Sequence, residues 1–497
     1  MSALTGLLLL LPAAGAVVGC LAPRTAAVRV GLLAALLTVL DAAVMLAVFG
    51  YGASGVPQLE LDWPWVPSIG LRFHLGVDGI SLPLVVLTTV LVALCIVALR
   101  RYVPDPGHER ALVVLVLVLE IGMLGTFLAL DVIVFFVSFE TVLLPMYAVV
   151  AIWGGPGRRA AANKFLLYTQ LGSVVMLVGL LAAASYAGSF SIQQIVDHSG
   201  HGMSHTVQVL VFLAIAGGLA VKVPMWPLHS WLPDAHTEAP TVGSVLLAGV
   251  LLKMGTYGIV RIALPAAPEG AHALAPFLGA YAVVGIVYAA LACLAQRDLK
   301  RLIAFSSVGH MGFVLLGIAT LTPVGVNAAL FGNIAHGVIT GLLFFLAGAV
   351  KERYGTTDFA VLGPGMRAKI PHLAGFLAVA SIASLGLPGF AGFWAELLAL
   401  LGAWRPADGL PRTAYLVYLA VAGVGSVLTA AYFLAMLHRV AHGEVAARWR
   451  AVALPGVSAV ELATWLPLVA AMVLAGVWPR TLLGLTEAAV QRLLGGG

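Results

Sequence analysis

The chain has 497 residues, of which 61% are hydrophobic and 9% charged. An ordinary soluble domain carries charge on roughly a quarter of its residues, so this composition excludes a soluble enzyme and marks an all-α polytopic membrane protein. The net charge of +5 does not point to nucleic acid, because the basic residues sit in short loops between apolar runs, where membrane orientation accounts for them.

A spanning helix needs about 20 mostly apolar residues, and fourteen runs qualify, near 3–22, 29–50, 79–99, 111–129, 131–152, 164–187, 206–231, 241–264, 273–295, 301–320, 325–349, 371–402, 413–438 and 459–485. The first has no early basic residue and is followed at once by further spans, so it reads as a membrane helix rather than a cleaved leader. Loops after odd-numbered spans are basic, as in "RRYVPDPGHER", "GGPGRRAAANK", "QRDLKR" and "HRVAHGEVAARWR". Loops after even-numbered spans are nearly free of Lys and Arg. The seventh-to-eighth connection, which has no basic residue, and the loop with Arg405 and Arg412 depart from the pattern. The positive-inside rule puts the basic loops in the cytoplasm and both termini outside.

Among the ionisable side chains inside the apolar runs, seven stand out: Glu120, Glu140, Lys222, Lys253, His310, His336 and Glu396. Each costs about 2.5–3.5 kcal/mol near a bilayer centre on insertion scales. Any one of them could simply pair with a neighbour or reach the interface, and a lone histidine is more often a hydrogen-bonded core residue than a carrier. Lys222 is harder to explain that way. It ends an apolar run and opens "KVPMWPLHSWLPDAHTEAP", where Pro224 and Pro227 break the helix. Backbone groups freed in lipid must be satisfied by protein or by water in a cavity, so a lysine beside such a break predicts a hydrated pocket.

The twelfth span repeats the device, with "SLGLPGFAGFWAELLAL" placing Pro388 and three glycines beside Glu396. Spans seven and twelve are five apart. Two five-helix units, 111–264 (spans four to eight) and 273–440 (spans nine to thirteen), put the breaks in equivalent places, and an odd helix count inverts one unit relative to the other. Paired interruptions of this kind point to a transporter with ion sites near the midplane. Residues 1–110 hold spans one to three and 459–485 the last, all in one membrane domain. Glutamate, lysine and histidine are the groups that proton transfer requires, and Glu140, Lys222, Lys253, His310, His336 and Glu396 form a polar path if water bridges the gaps.

Other groupings are weaker. His229, Asp234, His236 and Glu238 have the types of a ligand set but not the spacing of a metal site. His310 and His336 are the types of haem ligands, without a second such pair. "GGPGRRAAANK" lacks the Gly-Lys-Ser/Thr of a phosphate loop. Cys20, Cys95 and Cys293 show no cluster or disulfide spacing, and Asp78 in "VDGIS" reads as an N-cap.

The stretch "KVPMWPLHSWLPDAHTEAPTVGSVLLAGVLLKMGTYGI", together with "LKRLIAFSSVGHMGF" and "NIAHGVITGLLFFLAG", closely resembles the antiporter-like membrane subunits of respiratory complex I, a family shared with Mrp-type sodium/proton antiporters and membrane-bound hydrogenases. "LGVDGISLPLVVLTT", "FFVSFETVLLPMYAVVAIWGG" and an acid at Glu396 resemble the subunit M branch, the counterpart of mitochondrial subunit 4. The resemblance implies roles. Glu140 and Lys222 would be a coupled pair in a first half-channel, Lys253 the link to the centre, His310 and His336 the central relay, and Glu396 the terminal group of a second half-channel. Glu120 has no assigned family position and stays a secondary candidate. The implied partners are neighbouring subunits L and N and, through them, a quinone-reducing peripheral arm in a bacterial inner membrane. No NADH, flavin, cluster or other cofactor is expected in this chain itself. A sodium/proton antiporter subunit and a structural scaffold are the competing classes.

Overall fold

The computed structural model describes residues 2–495. Apolar runs of the predicted lengths close their backbone hydrogen bonds internally, as lipid demands, and among the described residues thirteen helices are long and apolar enough to cross a membrane. They are α1 (Ser2–Leu21), α2 (Arg24–Val48), α3 (Ser81–Leu99), α4 (Glu109–Leu128), α5 (Val132–Trp153), α6 (Arg158–Ala187), α7a (His205–Lys222), α8 (Thr241–Ala266), α9 (Pro268–Leu294), α10 (Leu299–Ala319), α11 (Pro323–Tyr354), α13 (Arg412–Val440) and α14 (Ala459–Val477). The remaining run, the twelfth, is interrupted and forms α12a (Pro371–Ser384) and α12b (Ala391–Trp404). The seventh is also broken. After α7a the chain is irregular until α7b (Trp231–Glu238).

The apolar window of α8 is wholly buried, and those of α10 and α11 nearly so, whereas two thirds of the windows in α1 and α13 lie on the surface. The helices that carry Lys253, His310 and His336 are therefore the central ones. Glycines let them close up: a Cβ on Gly337 of α11 would come within 2.8 Å of the Gly249 carbonyl of α8. At that contact α8 departs from α-helical winding, with π-helical turns at Leu247–Leu251 and again at Ile259–Ala263. Wider turns of this type are frequent at functional sites.

Two elements differ from the sequence reading. The run 459–485 is not one helix: α14 stops at Val477, and after Trp478 and Pro479 a separate helix, α15 (Arg480–Leu493), begins. Proline cannot continue the ladder of the preceding turn. Its apolar face, Leu485, Ala489 and Val490, is buried while Glu487 and Arg492 are exposed, so α15 is amphipathic and is held on the face opposite the basic loops. Its seat explains the glycine of "VDGIS", since a Cβ on Gly79 would fall 1.9 Å from the Leu485 carbonyl oxygen. The second difference is an antiparallel hairpin on that same face, β1 (Gln58–Val66) and β2 (Leu71–Val77), with Trp63 opposite Phe73. Thr5 of α1 donates to the Leu59 carbonyl and ties the hairpin down.

Asp78 does cap the following helix, its Oδ1 accepting from the amides of Ile80 and Ser81 at 3.0 Å, and its other oxygen pairs with Arg261 of α8. Asp131 caps α5 by accepting from the amides of Ile133 and Val134. Asp131→Ala is expected to cost about 1 kcal/mol, read as a small fall in the thermal midpoint of the purified protein.

Candidate relay through the membrane

Four of the seven intramembrane groups are brought into one line. Lys253, wholly buried in α8, places its Nζ 2.6 Å from Nδ1 of His336 on α11 and donates to the Ala248 carbonyl. The His336 ring lies 5.8 Å from that of His310 on α10, centroid to centroid. Nε2 of His310 is 2.9 Å from the Ser384 hydroxyl at the end of α12a, and its Nδ1 is 3.8 Å from Oε1 of Glu396 on α12b. The Ser426 hydroxyl of α13 donates to the other carboxylate oxygen at 2.9 Å. A cavity of about 30 Å³ lined by His310, His336, Ser384 and Glu396 lies along this line, room for a water or two.

Local backbone sets this geometry. Gly386, in the α12 interruption, has φ +71, and a Cβ there would stand 2.9 Å from Oε2 of Glu396. Only glycine holds the left-handed conformation without cost and leaves the carboxylate space. The break is braced by α14, whose Gly476 carbonyl accepts from the Trp394 indole at 2.7 Å.

At the seventh-span break two carbonyls of the last turn of α7a are taken up within the protein. That of Val221 accepts from the Trp231 indole at 3.0 Å, and that of Ala220 from the Met225 amide. Lys222, 2% exposed, ends α7a with its Nζ 4.5 Å above the centre of the Phe139 ring and no hydrogen-bond partner among the described residues. Glu140, next to Phe139, exerts a Coulomb attraction on it without forming an ion pair within 4.0 Å. Glu140 and Lys222 thus stand as a second, separate group: α8 packs against the break through Gly255, but no hydrogen bond joins Lys222 to Lys253.

Glu120 stands apart. It is fully buried in α4 with neither oxygen partnered among the described residues. Its helix face is the one on which Val113 and Leu117 pack against Gly31 of α2 and Gly15 of α1. Of the weaker grouping, Asp234 pairs with Lys164 at 2.8 Å, Glu238 accepts from the Gly157 amide, and His236 stacks on Phe344.

Ser384, Ser426, Asn333 and Thr256 escaped the sequence reading. Thr256 donates to Asn333 at 2.9 Å, one turn from Lys253 and His336. Asn333 precedes His336 by three residues, the helical spacing that could have flagged it. Ser426 offers no such signal, because only the packing of α13 brings it to Glu396.

Comparison with known proteins agrees with this architecture. The family model described as NADH:quinone oxidoreductase/Mrp antiporter, TM, matches residues 129–436. NADH-quinone oxidoreductase subunit M of Rhodobacter capsulatus is 40% identical over 475 residues, covering 94% of this chain and 90% of that one. NAD(P)H-quinone oxidoreductase chain 4 1 of Synechococcus sp. (strain JA-2-3B'a(2-13)) is 42% identical over 387 residues, 78% of this chain and 72% of the relative. Among solved structures, a chain of respiratory complex I from Thermus thermophilus with bound NADH superposes with a TM-score of 0.87 at 31% identity, covering 99% of this chain and 100% of that one. A chain of the Mrp complex from Dietzia sp. DQ12-45-1b shares the fold, at a TM-score of 0.85 and 22% identity over 99% and 97% of the two chains. By sequence and by fold alike, the chain belongs to the NADH:quinone oxidoreductase/Mrp antiporter family of membrane proteins.

Proposed function

We propose that this chain is the antiporter-like, proton-translocating subunit of an NADH-quinone oxidoreductase, moving protons while partner subunits carry out the electron transfer. The observation that carries the reading is the contact line Lys253–His336–His310–Glu396 through the centre of the membrane domain. In this reading Glu140 and Lys222 form the switch of a first half-channel. Lys253 passes charge to the two histidines, and Glu396 discharges the second half-channel. Like charges repel strongly where the dielectric is low, so a proton arriving on Lys253 would drive Lys222 toward release. Each proton moved against the membrane potential costs about 2.3 kcal/mol per 100 mV, which the redox partners must supply. Helices α4–α8 and α9–α13 act as two inverted repeats, each with one broken helix.

The reading includes an arrangement in the cell. The basic loops face the cytoplasm, the termini, the hairpin and α15 face outward, and the chain sits in a bacterial inner membrane between subunits L and N, which link it to the quinone-reducing arm.

The test is isolation of the tagged chain from native membranes in mild detergent, with partner identification and an NADH:quinone assay. Cluster-bearing subunits and inhibitor-sensitive quinone reduction are the expected outcome. Recovery with small membrane subunits only, no redox activity and sodium flux in vesicles would replace the reading with an antiporter.

A further inference from the structure

Helix α6 runs unbroken beside the interrupted seventh span and touches both of its halves. Its contact with α7a is backbone to backbone: a Cβ on Gly172 would stand 2.7 Å from the Gly218 carbonyl oxygen. Small residues allow membrane helices to approach this closely. Its contact with α7b is polar. The Ser230 hydroxyl, just ahead of α7b, donates to the Tyr168 phenol oxygen at 2.9 Å, and Lys164 donates to Asp234 at 2.8 Å. The Gly157 amide, just ahead of α6, donates to Glu238 at 2.9 Å. Residues 230, 234 and 238 thus meet 168, 164 and 157 in one antiparallel seam, at the spacing that keeps side chains on a single helix face. Arg301 of α10 adds a second cation 3.6 Å from Asp234.

Within this seam lies Trp231, wholly buried, its ring 5.4 Å from that of Phe165 on α6. Pro224 has no amide to offer the Ala220 carbonyl. The Met225 amide takes that acceptor instead, which leaves the Val221 carbonyl without its helical donor. The Trp231 indole supplies one at 3.0 Å. A residue of α7b therefore fixes the backbone immediately before Lys222. A phenyl ring would also pack on Phe165, but only the indole N–H reaches back across the break. Lys222 makes no hydrogen bond of its own among the described residues, so its direction comes from the backbone that carries it.

We infer that Trp231 is a positioning residue for Lys222: α6 splints the two halves of the broken helix, and the indole carries that hold to the last turn of α7a. The inference rests on the relay reading above. Lys222 then stays over the Phe139 ring, at a set distance from Glu140, the charge of α5 that acts on it.

The experiment uses the intact complex in inverted membrane vesicles, with protons pumped per quinone reduced measured across pH. Trp231→Phe is expected to lower the ratio about tenfold or more, since misplacing a reacting group by about 1 Å can cost about 10²-fold. The pH at which the ratio halves is expected to move by about one unit, because the proton affinity of Lys222 follows its distance from Glu140. Simple loss of fold lowers the yield of complex and leaves that midpoint in place. Lys164→Gln, which opens the seam, is expected to act in the same direction, and Lys164→Arg, which keeps the pair with Asp234, to retain the parental ratio and midpoint. If Trp231→Phe keeps both while Lys222→Met does not pump, the positioning role is wrong and the relay stands. A lowered ratio with an unmoved midpoint also overturns it. If Lys222→Met pumps at the parental ratio, the relay reading falls and the positioning role with it. Should Trp231→Phe fail to assemble, Lys164→Gln decides: parental ratio and midpoint there, or an equal loss in Lys164→Arg, overturn the splint.

Discussion

Replacing Lys222 by methionine is expected to reduce proton translocation to background while the complex still assembles and keeps its fold. The side chain donates no hydrogen bond among the described residues and rests on the Phe139 ring, so a methionine of similar length breaks none. Removing an ammonium from such a site even relieves its desolvation. The lost group is the one that Glu140 attracts, and a proton carrier of this kind is worth about 10²–10⁴ in rate. Pumping per NADH oxidised in inverted vesicles reads the effect, and a parental ratio would remove Lys222 from the pathway. Lys253→Met would be a less clean experiment, because it strands Nδ1 of His336 and the Ala248 carbonyl.

The largest loss of stability is expected at Glu461. The Arg353 guanidinium of α11 has no exposed surface, and it donates to both Glu461 oxygens at 2.7 and 2.9 Å as well as to the carbonyls of Pro455 and Gly456. Arg101 at the end of α3 binds the same carboxylate. One acid thereby joins α3, α11 and α14. Glu461→Ala leaves Arg353 buried without its counter-charge, a change that costs about 3–5 kcal/mol in comparable pairs. A clear drop in thermal midpoint and in yield of intact protein should follow. Exchanging both partners for apolar residues, Arg353→Met with Glu461→Leu, is expected to recover much of the loss, since an apolar pair of similar volume is often neutral or better. Equal stability of Glu461→Ala and the parent would show that the remaining carbonyls suffice for Arg353.

Span positions and both breaks were legible in the sequence because lipid leaves the backbone few alternatives: length, apolarity and proline placement each have one meaning there. The ionisable groups were legible for the same reason, as each is costly enough to need a cause. Their partition was not. Nothing in the residue order distinguishes His310, which reaches Glu396, from Lys222, which touches only an aromatic ring, because contact depends on how α8, α10, α11 and α12 pack. The apolar "TLLGL" after Pro479 likewise reads as more of the last span. Its placement as an amphipathic helix depends on Gly79 and Asn327, far earlier in the chain, which receive Leu485 and Thr486.

The two π-helical turns of α8 bear on what its sequence spacing means. A π turn takes in one residue more than an α-helical one, and each extra residue rotates everything beyond it by about 100°. The turn at Leu247–Leu251 therefore sets the phase of Lys253, and with Ile259–Ala263 it sets that of Arg261, the partner of Asp78. A helical wheel drawn for uniform winding would misplace both side chains. In this helix, rotation about its own axis works as a coordinate: tightening the Leu247–Leu251 turn would swing the lysine off His336.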